Sequence, residues 1–161
     1  MPSSAALKRE REARLDLDRF LPYRLSVLSN RVSDAIARQY SDRFDLSIPE
    51  WRVMAVLGGT PGLSARAVAE RTAMDKVQVS RAVESLVRAR RVARTLDAED
   101  GRIQRLALTA RGRAIYDEVV PLALHLEEMF LSALSPAERA QLDALMRKLT
   151  LQARLLGDGD K

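Results

Sequence analysis

The sequence predicts a mainly α-helical fold: a winged helix-turn-helix whose wing is a two-stranded β-hairpin, set within a layer of long N- and C-terminal helices. Three observations predict it. Apolar residues recur at helical spacing toward both ends of the chain, two short capped helices meet at a tight turn in its centre, and strand-like segments flank an Asp-Gly turn directly afterwards. With 161 residues, 47% of them apolar, the chain can bury a core large enough to fold without disulfides or a structural metal. No cysteine and a single histidine, His125, leave no thiol chemistry, no thiolate zinc site and no His-rich metal site or His-dependent triad, so neither metal nor cofactor is expected.

Residues 1–15 mix Lys8, Arg9, Glu10, Arg11, Glu12 and Arg14 with few apolar side chains and are expected to form a flexible N-terminal arm. Leu21, Leu25, Leu28, Val32 and Ile36 then step by 4, 3, 4 and 4, which places them on one face of a helix over about 17–44, with Pro22 in its first turn. Ser47-Ile48-Pro49-Glu50 has the form of a capping box and opens a short helix through Trp51, Val53, Met54 and Leu57, stopped by Gly58, Gly59, Pro61 and Gly62. Ser64 caps a second short helix, and a third begins near Asp75 and runs to about Ala89. Val92–Leu96 and Ile103–Leu108 form the hairpin around Asp100-Gly101. Thr109 caps a long helix whose Ile115, Val119, Leu122, Leu126 and Phe130 again step by 4, 3, 4 and 4, with a bend expected at Pro121. Ser135-Pro136-Ala137-Glu138, a second capping box, opens a last helix striped by Leu142, Leu145 and Leu149. The winged helix therefore spans 47–113, and 16–46 with 114–157 form the helical layer.

Residues 52–113 hold 13 Lys and Arg against 6 Asp and Glu, so the centre of the chain is strongly basic while the overall net charge is only +5. Such a local surplus suits a polyanion, because neutralised phosphates release counterions. At about 100° per residue, Val79, Ala82, Val83 and Leu86 form the inward face of the third short helix, leaving Lys76, Val77, Gln78, Ser80, Arg81, Glu84 and Arg88 outward. Arg81 suits bidentate bonding to guanine, Gln78 suits adenine, and the Val77 methyls suit a thymine methyl. Lys76, Ser80 and the free N–H groups at the helix starts near Ser64 and Asp75 suit backbone phosphates. On the hairpin, Arg102 suits a narrow minor groove and Asp100 is placed to orient its guanidinium.

Taken together, Asp75–Leu86, Arg91-Val92-Ala93-Arg94, Asp100-Gly101-Arg102 and Leu106–Arg113 resemble the MarR (multiple-antibiotic-resistance regulator) family of bacterial transcription factors, and the resemblance covers about 20–156. It implies an obligate homodimer joined through the first, fifth and sixth helices, binding a near-palindromic DNA operator, usually as a repressor released by a small ligand. Ser80 and Arg81 fall on the family's recognition helix, and Asp100 with Arg102 match its Asp-x-Arg wing element. The chain departs from the pattern at Arg90, where the family usually has the glycine that ends the recognition helix. A left-handed conformation there costs a non-glycine residue about 1 kcal/mol, so a differently built helix end is expected. The lack of cysteine excludes the family's thiol-oxidation sensing branch.

The apolar stripes of the terminal helices exceed what the winged-helix block can cover, and a second copy of the chain is their natural partner. A ligand site between the two layers would draw on Tyr23, Ser26, Asn30, Arg31, Trp51, Arg52 and His125. Arg31 or Arg52 would hold a carboxylate and Trp51 or Tyr23 would stack on an aromatic ring. The family resemblance favours aromatic acids or their thioesters. Other readings stay open at this point. One is a winged helix used as a protein-interaction module without sequence-specific DNA binding; a small enzyme is the weakest, since no nucleophile–base pair, phosphate-binding glycine loop or metal-ligand spacing is present. No apolar block of membrane-spanning length or leader-like segment stands out, so a cytoplasmic protein with no membrane partner is expected.

Overall fold

The computed structural model describes residues 15–158, so the arm expected at 1–15 lies, apart from Leu15, outside the described residues. Six helices and one hairpin follow in order among them: α1 (Leu21–Phe44), α2 (Ile48–Gly59), α3 (Ala65–Thr72), α4 (Lys76–Arg88), β1 (Val92–Leu96), β2 (Gln104–Leu108), α5 (Ala110–Leu131) and α6 (Pro136–Asp158). This is the winged helix-turn-helix with flanking long helices that the sequence pattern calls for. Three local differences have physical causes. Residues 16–19 form a turn instead of the first turn of α1; the Pro22 ring would clash with the carbonyl four residues back, and proline is tolerated only at the helix start where it sits. Strand β2 begins at Gln104, not Ile103, because the Ile103 N–H closes the hairpin turn onto the Asp100 carbonyl (2.9 Å).

The third difference is at Arg90, which adopts the left-handed conformation (φ 57°), contrary to the expectation of a differently built end. The Arg91 N–H reaches the Leu86 carbonyl (2.8 Å) and the Arg90 N–H the Val87 carbonyl (3.0 Å), which is the paired-bond helix termination that normally recruits glycine. Arginine occupies the position and bears the strain.

Every helix start except that of α1, where Phe20 offers no capping side chain, is capped by the side chain the sequence suggests. Ser47 accepts from the Glu50 N–H and completes its box, Ser64 accepts from Ala67, Asp75 from Gln78 and Thr109 from Gly112, and the Ser135–Glu138 box is closed in both directions. The α5 helix runs on through Pro121. Arg139 holds the α5–α6 turn by donating to the Leu131 and Leu134 carbonyls and to Glu128.

The core lies where α2, α4, the hairpin and the first half of α5 meet, around Met54, Leu57, Val79, Leu86, Leu106 and Val119, with Tyr40 from α1. Burial drives the Tyr40 hydroxyl up to about 12, against a smaller downward pull from the Arg52 charge. β1 and β2 pair antiparallel, Val92 opposite Leu108 and Leu96 opposite Gln104. Leu63 adds an isolated bridge to Leu106, which ties the hairpin to the α2–α3 loop.

Outside that core, the apolar stripes stay uncovered. Leu21, Leu25 and Leu28 of α1, Met129 and Phe130 of α5, and Leu142, Leu145, Met146 and Leu149 of α6 are all exposed. Helix α6 packs on no other element to any substantial extent. Isolated exposed apolar residues are ordinary, but three helices presenting continuous stripes are not.

Candidate nucleic-acid interface

Helix α4 presents its two faces as the sequence periodicity requires. Val79, Ala82, Val83 and Leu86 are buried against the core, while Lys76, Val77, Gln78, Ser80, Arg81, Glu84 and Arg88 are all exposed. Among the described residues, Lys76, Arg81 and Arg88 make no ion pair, so their charge is free for a partner. Ser80 lies 3.5 Å from the Glu84 carboxylate one turn on.

Two recesses flank this helix. One, of about 260 Å³, is lined by Ala65 and Arg66 at the start of α3 and by Lys76, Val79 and Ser80. The other, of about 340 Å³, is lined by Ser47, Pro49 and Glu50 at the start of α2 and by Gln78, Arg81 and Ser85. Each recess therefore joins a helix start to the polar face of α4: that of α3 brings the partial positive charge of its first turn, whereas at α2 Pro49 has no N–H and the Glu50 N–H is spent on Ser47. Burial would raise the Glu50 carboxyl, but its bonds with Ser47 and Ser85 outweigh that and hold it below the ordinary glutamate value, so it stays anionic as a cap. Ser64, at the start of α3, spends its hydroxyl on the Ala67 N–H. Sequence reasoning overlooked Arg66; the signal was its place two residues after the Ser64 cap, on the turn facing Lys76.

The wing is braced at its tip. One oxygen of Asp97 accepts from the Glu99 and Asp100 N–H groups (2.9 and 3.0 Å), and the other takes the Arg105 Nε at 2.5 Å. The Asp100 N–H bond, then the Arg105 bond and the Glu99 N–H, hold the Asp97 carboxyl down at about 2. Arg105 also donates to the Gly62 carbonyl (3.3 Å), fixing the wing to the α2–α3 loop. Beyond this brace, Arg102 projects with its side chain 96% exposed and its Nε 3.9 Å from Asp100. The Asp100 carboxylate also accepts from the Arg102 N–H (3.0 Å). Neither Asp97 nor Arg105 was singled out from sequence, since only the folded turn brings them together.

The residues named for a ligand site do not form one cluster. Trp51 is half-buried between Tyr40 and Tyr116, with ring centroids 5.6 and 6.0 Å away, and Arg52 donates to Ser33 (3.2 Å). Ser26 donates to the Pro22 carbonyl, and Asn30 and His125 are exposed on α1 and α5. Tyr23 and Arg31 line a shallow groove along α1. Arg31 also lines a second, mostly apolar groove of about 430 Å³ between α1 and α5, with Leu28, Val32, Ile36, Leu126 and Phe130; Trp51, Arg52 and His125 do not line it.

Comparison with known proteins places this geometry in context. A sequence model of the MarR family matches residues 44–103, which take in α2, α3, α4 and most of the wing. The transcriptional regulator HosA of Escherichia coli O157:H7 is 29% identical over 113 residues, 70% of this chain and 84% of HosA. A MarR/EmrR family transcriptional regulator from Acinetobacter sp. ADP1 superposes with a TM-score of 0.80 at 26% identity, over 88% of this chain and 99% of that one. Bordetella bronchiseptica BpsR, whose DNA binding is regulated by 6-hydroxynicotinic acid, superposes with a TM-score of 0.75 at 25% identity, over 86% and 98%. HosA and the Acinetobacter protein are regulators of transcription, not enzymes.

Proposed function

Because the chain belongs to the MarR family of transcriptional regulators, we propose that it acts in the cytoplasm as a homodimer that reads a near-palindromic operator, with α4 in the major groove and Arg102 of the wing in the adjoining minor groove. The observation that carries the reading is the free-cation face of α4 between two helix N-termini. Arg81 and Gln78 address base edges, Val77 addresses a thymine methyl, Lys76, Ser80 and the start of α3 at Ser64 address phosphates, and Glu84 and Arg88 extend the face. The uncovered stripes of α1, α5 and α6 are the dimer surface. On this division 47–113 is the reading unit, and 16–46 with 114–157 is the dimer layer.

The chain acts as a repressor released by a small aromatic acid. Its ligand lies in the apolar groove between α1 and α5, where Arg31 supplies the only cation among the lining residues. The regulation of BpsR by an aromatic acid supports this ligand class.

Selection from a random duplex library, followed by titration at several salt concentrations, tests the proposal. A symmetric consensus bound with a steep salt dependence is expected, together with sedimentation as a dimer. Leu145→Lys, on the exposed α6 stripe, is expected to yield monomers that lose the operator. A parent that sediments as a monomer and prefers no duplex refutes the reading. Release of the operator by 6-hydroxynicotinic or benzoic acid, weakened at least tenfold by Arg31→Ala, tests the effector part.

A further inference from the structure

Arg91 is the least exposed charged residue of the described chain, at 7% relative exposure, and it stands at the joint between the two layers. Its main chain closes the end of α4 through the Leu86 carbonyl, and its own carbonyl accepts the Thr109 N–H (3.0 Å) at the start of α5. The next residue, Val92, begins the wing. The side chain reaches in the other direction. Nη1 donates to the Asp45 carbonyl (2.9 Å) and Nη2 to the Phe44 carbonyl, the last two carbonyls at the end of α1. A cation is well placed on those carbonyls, which carry the negative end of the helix dipole.

Stability alone does not account for a guanidinium here. Its Nε is buried without a hydrogen-bond partner, alone in that respect among the described side-chain atoms. A buried charge that is incompletely bonded is commonly matched or bettered by an apolar residue of similar volume. What the arginine supplies is direction: two donors in a rigid fork fix the end of α1 relative to the residue from which both α4 and the wing depart.

We propose that Arg91 is a positioning residue that sets the separation and relative rotation of the two reading heads in the dimer. This rests on the proposed function, because α1 belongs to the dimer surface and the residues flanking Arg91 belong to the reading unit. An operator with one base pair added at its centre shifts one half-site by about 3.4 Å and turns it by about 35°. A dimer whose heads are held by the fork tolerates that poorly, whereas one without it accommodates both spacings.

Arg91→Met keeps the length and packing of the stem and removes both donors. Parent and variant are compared on the selected operator, on the same operator with one pair inserted, and on an isolated half-site. The parent is expected to lose at least tenfold on insertion, the variant less than about threefold, with half-site affinity unchanged. The absence of native cysteine also allows one spin label through Ala98→Cys on the wing. Pulsed dipolar spectroscopy then gives the distance between wings, narrow in the parent and broad without the fork. If methionine does not fold at this position, Arg91→Lys, which can serve one carbonyl at a time, carries the measurement. Broadening then supports the role, and a parental distribution overturns it. Equal insertion penalties with equal distance distributions overturn the positioning role while operator recognition stands. A parent that selects no duplex, or gives no distance between wings, removes the functional reading itself.

Discussion

Replacing Arg90 with glycine should stabilise the protein, an uncommon outcome for a substitution in a helical region. Arg90 holds φ at 57°, and its own N–H and that of Arg91 are committed to the Val87 and Leu86 carbonyls, so the conformation cannot relax without opening the end of α4. A non-glycine residue in this region carries about 1–2 kcal/mol of strain. Glycine removes that strain and returns roughly 0.5–1 kcal/mol through the greater freedom of the unfolded chain. The net gain is about 0.5–1 kcal/mol, a rise in Tm of about 1–4 °C for a chain of this length. Thermal unfolding at matched protein concentration reads it, because the proposed dimer would make Tm depend on concentration. Arg90→Ala is the control: the exposed guanidinium goes and the strain stays, so Tm should not rise. A glycine variant no more stable than the parent, or an alanine variant that gains as much as the glycine one, would refute the assignment of strain to the backbone.

Gly112→Ala should destabilise by about 1–3 kcal/mol in chemical unfolding, despite the better helix propensity of alanine. The new Cβ would run into the Arg91 carbonyl oxygen, which the Thr109 N–H holds in place; an alanine variant as stable as the parent refutes this. Arg81→Ala should cost about 1–3 kcal/mol and relax one operator position, whereas Arg102→Ala should weaken binding across sequences and lower the salt slope by about 1. Equal effects on all sequences for both variants would contradict the division of roles. Asp97 carries a folded pKa of about 2, below the ordinary aspartate value of 3.8. Its contribution to the wing turn is therefore complete above that ordinary value and is lost as pH falls through about 2. A carboxyl NMR titration with its midpoint near the ordinary value would show that the Asp100 N–H, Arg105 and Glu99 N–H bonds do not form.

The elements were legible because each rests on a local signal. Ser47, Ser64, Asp75, Thr109 and Ser135 mark helix starts through bonds that span three residues, and the inward face of α4 follows from spacing alone. Contacts between residues distant in sequence were not legible. The Asp97–Arg105–Gly62 brace joins a hairpin to a loop some forty residues earlier, and the Arg91 fork reaches back to the end of α1. Arg90 misled for a related reason. Glycine preference predicts which residue is least strained in a left-handed position, but the flanking bonds decide whether the position is left-handed at all. Among the ligand candidates, which were chosen by location alone, Trp51 packs into the core with Tyr40 and Tyr116, the commoner role of such a residue.

These long-range ties bear on how a ligand in the α1–α5 groove would act on a distant operator. Helix α1 has 24 residues and is about 36 Å long. The groove uses its middle, Leu28 to Ile36, while Arg91 grips its C-terminal carbonyls and Arg43, one residue before that end, pairs with Glu118 of α5. A ligand shifts an equilibrium only by as much as it prefers one arrangement over the other. On the proposed reading, an aromatic acid wedged between α1 and α5 favours a slightly tilted α1. A tilt of about 5° about its centre moves the far end by roughly 1.5 Å over half that length. With the fork intact, the displacement passes to the base of α4 and the wing together; without it, α1 can tilt and leave the reading head behind. Arg91→Met should thus retain aromatic-acid binding and lose most of the ligand's effect on operator affinity, a separation that isothermal titration and operator titration measure independently. Loss of both together would place Arg91 in the ligand site, and loss of neither would show that the signal travels by another route.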